Sequence, residues 1–261
     1  ISLSNLSDDR MRHAKSGQWW ETAAHRALAN NSVSYTEKPD IETFMREWTA
    51  LIESKSGERG IFNREASKKQ AAKYGRRDPN HEFGTNPCSE IILRPYQFCN
   101  LTEVVVRATD TIKDLERKVK LATILGTIQS SYTKFPYLRK VWQRNTEEER
   151  LLGVSLTGIM DNQLMTTENH KLAGVLDGLR NVAVDTNAEY AALLDIPASA
   201  AITCVKPSGT VSQLVDSASG IHARHSPYYI RTVRGDNKDP LTQFMIDKGV
   251  PNEPCVFKAD T

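Results

Sequence analysis

A chain of 261 residues is long enough for one large domain or two small ones. Its 39 % hydrophobic and 25 % charged content is that of a soluble, slightly polar globular protein. A net charge of +2 gives no reason to expect nucleic acid or a membrane surface as partner, and no apolar run approaches the length of a bilayer span. In chain order, the first eighty residues read as helical. Ser7-Asp8-Asp9 predicts a helix start and Gly17 a stop, and residues 19–29 predict a second short helix carrying Trp19 and Trp20. Asp40 is a cap for a helix whose Ile41, Phe44, Met45, Trp48, Leu51 and Ile52 recur at helical spacing. A polar helix is expected over 64–74, then a polar approach over 76–85.

Residues 99–107 predict a strand with Val104-Val105-Val106 buried, and Thr111-x-x-Asp114 predicts a capping box before a helix of about five turns with a stripe of Ile112, Leu115, Val119, Ala122 and Leu125. Thr146-x-x-Glu149 is a second capping-box pattern. Residues 151–156 are a helix end or strand, 168–194 a long helix, 200–206 and 228–234 strands, and 240–248 a helix ended by Gly249 and Pro251. Strands alternating with helices after residue 99 argue for an α/β fold with parallel strands. The tryptophans are expected in the core. The chain begins at Ile1 and ends at Thr261 without a stop signal, so it reads as a fragment of a longer polypeptide.

The chemistry is concentrated in Asn86-Pro87-Cys88-Ser89-Glu90. Proline biases Asn86 away from helix, so a loop entering an extended segment is expected. Alternate residues of such a segment face the same way, which would put the carboxamide, thiol and carboxylate of Asn86, Cys88 and Glu90 on one face. Taken singly, a cysteine is usually a small buried hydrophobe. A polar neighbour and a base at two residues on either side favour thiolate or radical chemistry instead. The four cysteines Cys88, Cys99, Cys204 and Cys255 form no C-x-x-C pair and have no histidine-rich spacing beside them. They suggest neither a metal site nor a secreted disulfide framework, and the reducing cytoplasm is the expected compartment. Lys206-Pro207-Ser208-Gly209-Thr210-Val211-Ser212 follows an apolar run, as a phosphate-cradling turn would, although a polar turn capping a helix has the same composition. His222 and His225 are expected in loops. Tyr228-Tyr229 reads as part of a strand.

The block at 86–90 with the downstream Cys99-Asn100-Leu101 resembles the catalytic finger loop of ribonucleotide reductases. The stretch at 206–212 resembles that family's substrate-phosphate loop, and Leu151-Leu152-Gly153-Val154-Ser155-Leu156-Thr157-Gly158-Ile159-Met160-Asp161 resembles the segment between the two. The short gap between Cys88 and Cys99 is most similar to the adenosylcobalamin-dependent class, especially its triphosphate reductases. The resemblance implies a ten-stranded α/β barrel with a central finger loop, part of it present here. Residues 1–85 would be a mostly helical part, and 86–261 the finger and second half-barrel of one incomplete catalytic domain. It implies a thiyl radical on Cys88 that takes hydrogen from C3′ of a ribonucleoside di- or triphosphate. Glu90 would take the 3′-hydroxyl proton, Asn86 would bind the ribose hydroxyls, and Cys99 would be one of two reducing thiols. The phosphates would lie on Pro207, Ser208, Gly209, Thr210, Val211 and Ser212. It also implies adenosylcobalamin as cofactor, no protein-bound metal in this chain, thioredoxin or glutaredoxin as external reductant, and the remaining parts of the same reductase as partners.

The family's partner for Cys99 lies upstream, and no cysteine precedes Cys88 here. Its C-terminal cysteine pair has no counterpart, and its allosteric nucleotide site lies mostly upstream. The 261 residues alone are therefore expected not to turn over. Two other readings stand beside this one. A glycyl-radical barrel enzyme would need a C-terminal glycine motif, which is not visible. A nucleotide-binding remnant of the barrel would not be an enzyme.

Overall fold

The computed structural model describes residues 1–166 and 171–255, in two compact units, Ile1–Ala223 and Arg224–Thr261. The first unit begins with β1 (Ser2–Ser4), α1 (Asp9–Arg12), α2 (Trp19–Thr22), β2 (Asn31–Tyr35), α3 (Ile41–Ser54), β3 (Gly60–Asn63) and α4 (Arg64–Ala72). The three strands form a parallel sheet in the order β1-β2-β3. The first 85 residues, expected to be mostly helical, carry this three-stranded parallel sheet beside their helices. The strands escaped notice because they are short and serine-rich. Asn31, Ser32 and Ser34 are buried inside β2 beside Val33 and Tyr35. The helix expected over 19–29 reduces to α2 and a single 3-10 turn at Ala24–Arg26.

α3 starts where the cap predicts, with Asp40 accepting from the Thr43 amide at 2.8 Å. Its apolar stripe points outward, however. Ile41, Met45, Trp48 and Ile52 are exposed, and the buried side carries Glu47, Ala50 and Ser54. Glu47 is clamped there by Arg12 Nε at 2.5 Å and by Arg59 Nε at 2.9 Å and Nη2 at 2.6 Å. Nor are the tryptophans core residues: Trp20 and Trp48 are 57 % and 44 % exposed, and Trp142 is half-buried, stacked on Phe98 at 4.6 Å.

A small antiparallel hairpin follows, β4 (Gly84–Thr85) with β5 (Ile92–Leu93). Then come β6 (Asn100–Val105), α5 (Ile112–Gln129), α6 (Lys140–Glu149), β7 (Leu152–Thr157), α7 (Gln163–Thr166), α8 (Lys171–Leu193) and α9 (Thr210–Leu214). The long helix expected over 168–194 is α8, and positions 168–170 lie outside the described residues. β6 and β7 pair in parallel from Asn100↔Leu152 to Val105↔Thr157. The 201–204 segment runs along the far side of β7 through one bridge, Val154↔Thr203. The capping box at Thr111 and Asp114 forms as predicted. The second does not. Thr146 and Glu149 lie in the last turn of α6, whose cap is Arg139, because the pattern caps only where the chain enters a helix.

Alternation gives the β6–β7 pair two unlike faces. Val104, Val106, Leu152 and Val154 pack with Ile202 against Leu115 and Val119 of α5 and Leu179 and Ala183 of α8. Within the predicted α5 stripe, Leu115 and Val119 are buried, whereas Ile112 and Leu125 are exposed. Fully burying such side chains stabilises by about 1.5–3 kcal/mol each. Asn187 ties the layers together, donating to Thr127 Oγ1 and Ser199 Oγ and accepting from the Ser199 amide at 2.8 Å. The class is α/β, with the described strands in three separate small sheets. No described helix is long and apolar enough to cross a membrane.

The second unit holds α10 (Pro240–Asp247), capped by Asp239. The strand expected over 228–234 does not form. Tyr228 and Ile230 are almost fully exposed, and no neighbouring strand edge pairs with them.

Candidate active site

The polar face of β6–β7 carries Leu101 and Glu103 opposite Gly153 and Ser155. Ser155 Oγ and Glu103 Oε1 are buried there without a hydrogen-bond partner among the described residues. A folded interior rarely leaves such groups unpaired, so this face is chemically unfinished. Three chain segments converge on it.

The first is the β4–β5 hairpin, whose six-residue tip runs from Asn86 to Ile91. The tip is a turn and not the extended segment expected from sequence. The Ser89 amide donates to the Asn86 carbonyl at 3.0 Å, and Ser89 adopts φ +63°. Pleat alternation therefore does not set the directions of Asn86, Cys88 and Glu90. Pro87 and the turn do. Asn86 Oδ1 accepts from the Ile91 amide at 3.1 Å, and Thr85 Oγ1 donates to the Ile91 carbonyl at 3.0 Å. Cys88 is exposed at the tip, Asn86 is half-buried, and the Glu90 side chain is 2 % exposed.

The hairpin's base is clamped to α6. Arg77 donates to both oxygens of Glu149, at 2.9 and 2.8 Å, and to the Ile92 carbonyl at 2.8 Å. Gln97 donates to Glu149 Oε2 at 2.5 Å and accepts from the Arg94 amide at 2.8 Å. Burial pushes the Glu149 carboxyl up, but Arg77 and Gln97 outweigh it and hold it below the ordinary range.

The second segment is the entry to β6, with Cys99. The third is 201–212, with Cys204, Lys206 and the expected phosphate loop. Lys206 Nζ lies 3.0 Å from Glu90 Oε1, close but poorly aligned for a hydrogen bond. Burial works to raise the Glu90 carboxyl; Lys206 and Asn86 beside it bring it below its usual value. Burial, reinforced by the Glu90 charge, pushes the Cys99 thiol up to about 11 and the Cys204 thiol up to about 12, so both stay protonated at neutral pH. Cys88 and Cys204 both lie within the field of Lys206. Cys88, Cys99 and Cys204 carry no disulfide.

The loop beyond Lys206 is built by its neighbours. Ser208 is buried, and Oγ has no partner among the described residues. Ser212 is fully buried and donates to the Gly209 carbonyl at 2.6 Å, while Pro207, Gly209, Thr210 and Val211 are exposed. The loop rests on the 217–220 turn, where Ser219 Oγ donates to the Ser208 carbonyl. Gly220 has φ +54°, and a Cβ there would meet Lys206 O at 3.3 Å, so the close approach needs glycine. That turn hangs from the end of β7. Thr157 Oγ1 accepts from the Gly220 amide at 2.8 Å and donates to the Ala218 carbonyl at 3.1 Å, and Asp161 Oδ2 accepts from the Ala218 amide at 2.8 Å. The 151–161 segment thus supports the loop.

A cavity of about 690 Å³ has Glu90, Ile91, Ser155 and Cys204 in its wall, with Tyr74, Arg76 and Arg180 among its other lining residues; neither Cys88 nor Cys99 lines it. No cluster of three or more His, Cys, Asp or Glu among the described residues could hold a metal ion. Sequence reasoning placed Lys206 only at the head of the phosphate-loop stretch and missed its pairing with Glu90, and it gave Cys204 no place beside them. The two-residue spacing of Cys204 and Lys206 on an extended run into the loop was the available signal. It also missed Arg77, Gln97 and Glu149, which meet through contacts remote in sequence.

No family model matches the chain. Adenosylcobalamin-dependent ribonucleoside-triphosphate reductase of Lacticaseibacillus paracasei is 30 % identical to it, over 100 % of the chain and 38 % of that protein. The Lactobacillus gasseri protein of the same name is 30 % identical over 91 % of the chain and 35 % of its own length. A solved B12-dependent (class II) ribonucleotide reductase superposes with a TM-score of 0.75 at 25 % identity, over 99 % of the chain and 39 % of that structure. The chain spans little more than a third of the length of these proteins. Along its whole length, in sequence and in fold, the chain is similar to part of the adenosylcobalamin-dependent ribonucleotide reductases.

Proposed function

We propose that these residues form the finger and phosphate-loop part of a reductase that converts ribonucleoside triphosphates to 2′-deoxyribonucleotides. The observation that carries this reading is the approach of Lys206, at the head of the 207–212 loop, to Glu90 on the hairpin tip, with Cys88 and Cys99 in the electrostatic neighbourhood of that pair. The complete enzyme would close a ten-stranded barrel around that face with further strands. Such an enclosure shields a carbon radical from water.

Adenosylcobalamin, when bound, would supply the unpaired electron for the Cys88 sulfur. The exposure of Cys88 at the hairpin tip fits a radical source outside the described residues, and no residue of this chain is assigned to hold it. Cys88 then removes hydrogen from C3′ of the ribose. Glu90, ionised beside Lys206, accepts the 3′-hydroxyl proton and gives it back to the 3′-oxygen when C3′ regains its hydrogen, and Asn86 binds the ribose hydroxyls. The 2′-hydroxyl leaves as water. Cys99 and a second thiol, by family resemblance upstream, supply two hydrogens and end as a disulfide, and Cys88 returns hydrogen to C3′. A high thiol pKa suits Cys99 as a donor of hydrogen with its proton still attached. Thioredoxin or glutaredoxin would reopen the disulfide. The triphosphate would lie along 207–212, near the Ser208 hydroxyl and the amides that open α9.

The test is turnover by the full-length protein with adenosylcobalamin, a ribonucleoside triphosphate and a dithiol. Deoxyribonucleotide should form, with a thiyl electron paramagnetic resonance signal lost in Cys88→Ser. Product formation by Cys88→Ser would overturn the assignment.

A further inference from the structure

Lys206 stands at the junction of two parts of the site. Its backbone opens the loop at 207–212, and its ammonium reaches Glu90 on the hairpin tip at 3.0 Å. The Glu90 side chain is almost fully buried, whereas that of Lys206 is partly exposed. The titratable groups sharing this field are Cys88 on the tip, Cys99 before β6 and Cys204 on the extended run, so Lys206 is the cation among them. A buried carboxylate deprived of a cation takes up a proton. A protonated Glu90 has no capacity to accept one from a substrate hydroxyl.

We propose that Lys206 is a positioning residue that keeps Glu90 ionised and aimed at the site, and that it makes this charge state depend on the seating of the loop at 207–212. The proposal rests on the reductase reading for the role of Glu90 as base. The contact is poorly aligned for hydrogen bonding, so charge and not donor saturation holds it. An ammonium on a flexible stem suits such a latch. The structural anchors of the loop are separate: Gly220, Ser219 and Thr157 brace it from the other side.

Two full-length variants test this, Lys206→Met and Lys206→Arg. Removing the cation raises the pH at which Glu90 ionises. The acidic limb of the kcat–pH profile should move up in Lys206→Met by about one pH unit or more. On the acidic side, kcat should then fall about tenfold for each pH unit that the limb moves, with KM for the ribonucleotide changed less than about threefold. Lys206→Arg should return the limb toward wild type. An unmoved limb with a tenfold higher KM would mean that Lys206 binds phosphate, and would overturn the proposal. The second readout needs no turnover. The Glu90 carboxylate infrared band, assigned by subtracting the Glu90→Gln spectrum, should titrate at higher pH in Lys206→Met than in wild type. If that displacement appears in a protein that makes no deoxyribonucleotide, the latch stands and the reductase reading falls. An unchanged titration sinks the latch whatever the activity.

Discussion

The buried carboxylates of this chain are of two kinds. Glu47, under the N-terminal sheet, receives three hydrogen bonds from Arg12 and Arg59, and Glu149, at the hairpin base, receives three from Arg77 and Gln97. Arginine forks saturate both, and a saturated carboxylate is fixed and unreactive. Glu90 is as well buried, yet it has one lysine at 3.0 Å and no well-formed hydrogen bond to either oxygen. The first arrangement is a fastening; the second leaves lone pairs for another molecule. The contrast shows how burial alone misleads and how the partner set distinguishes a fastened acid from one whose oxygens stay open to another partner.

The comparison breaks most easily at Arg77. Arg77→Met strands Glu149 without its cation, and the expected loss is about 3–5 kcal/mol in denaturant unfolding. A loss below about 1 kcal/mol would mean that Glu149 is no fastening. Next come the thiols. At pH 8 a group titrating at about 11, as Cys99 does, is thiolate in roughly one molecule in a thousand. Iodoacetamide followed by mass spectrometry should therefore label exposed Cys88 well before Cys99 or Cys204, and equal labelling would contradict the burial of the latter two.

Acid is a third probe. Burial pushes Glu47 and Glu149 up, but their arginines hold both below the ordinary 4.5. A depressed folded-state value means that stability is present above about 4.5 and is lost as pH falls through the folded value. Unfolding free energy should drop in that acidic window, and Glu149→Gln should flatten the slope. The smallest effect belongs to Glu90. Glu90→Gln should change stability by no more than about 1 kcal/mol, because Lys206 is exposed enough to be rehydrated. A loss like that of Arg77→Met would place Glu90 among the fastenings.

Local chemistry made part of this legible in the sequence. The caps at Asp40 and at Thr111 with Asp114, the strand β6, α8 and the order of the three motif blocks follow from residues close together in the chain. What was hidden depends on distant partners. The serine-rich β2 is a strand because two neighbours flank it, and Glu149 looked like half of a capping box until Arg77 met it. The same rule explains α3, where a helix with a clear apolar stripe turns its charge inward to two arginines. At the proposed site, the polar set Asn86, Cys88 and Glu90 stood out in the sequence, but the turn that carries it did not. Lys206 and Cys204 needed the fold to bring 201–206 back to the hairpin.

Gly153 lies in the middle of β7 with no side chain. A Cβ there would collide with Leu101 Cδ2 and lie 3.1 Å from both Cys204 Sγ and Ile91 Cδ1. The hairpin tip, β6 and the third extended run thus close over Gly153 with no room for a methyl group. A methyl at this position would wedge the three apart, so a missing carbon fixes how closely Cys204 and Ile91 pack over β7.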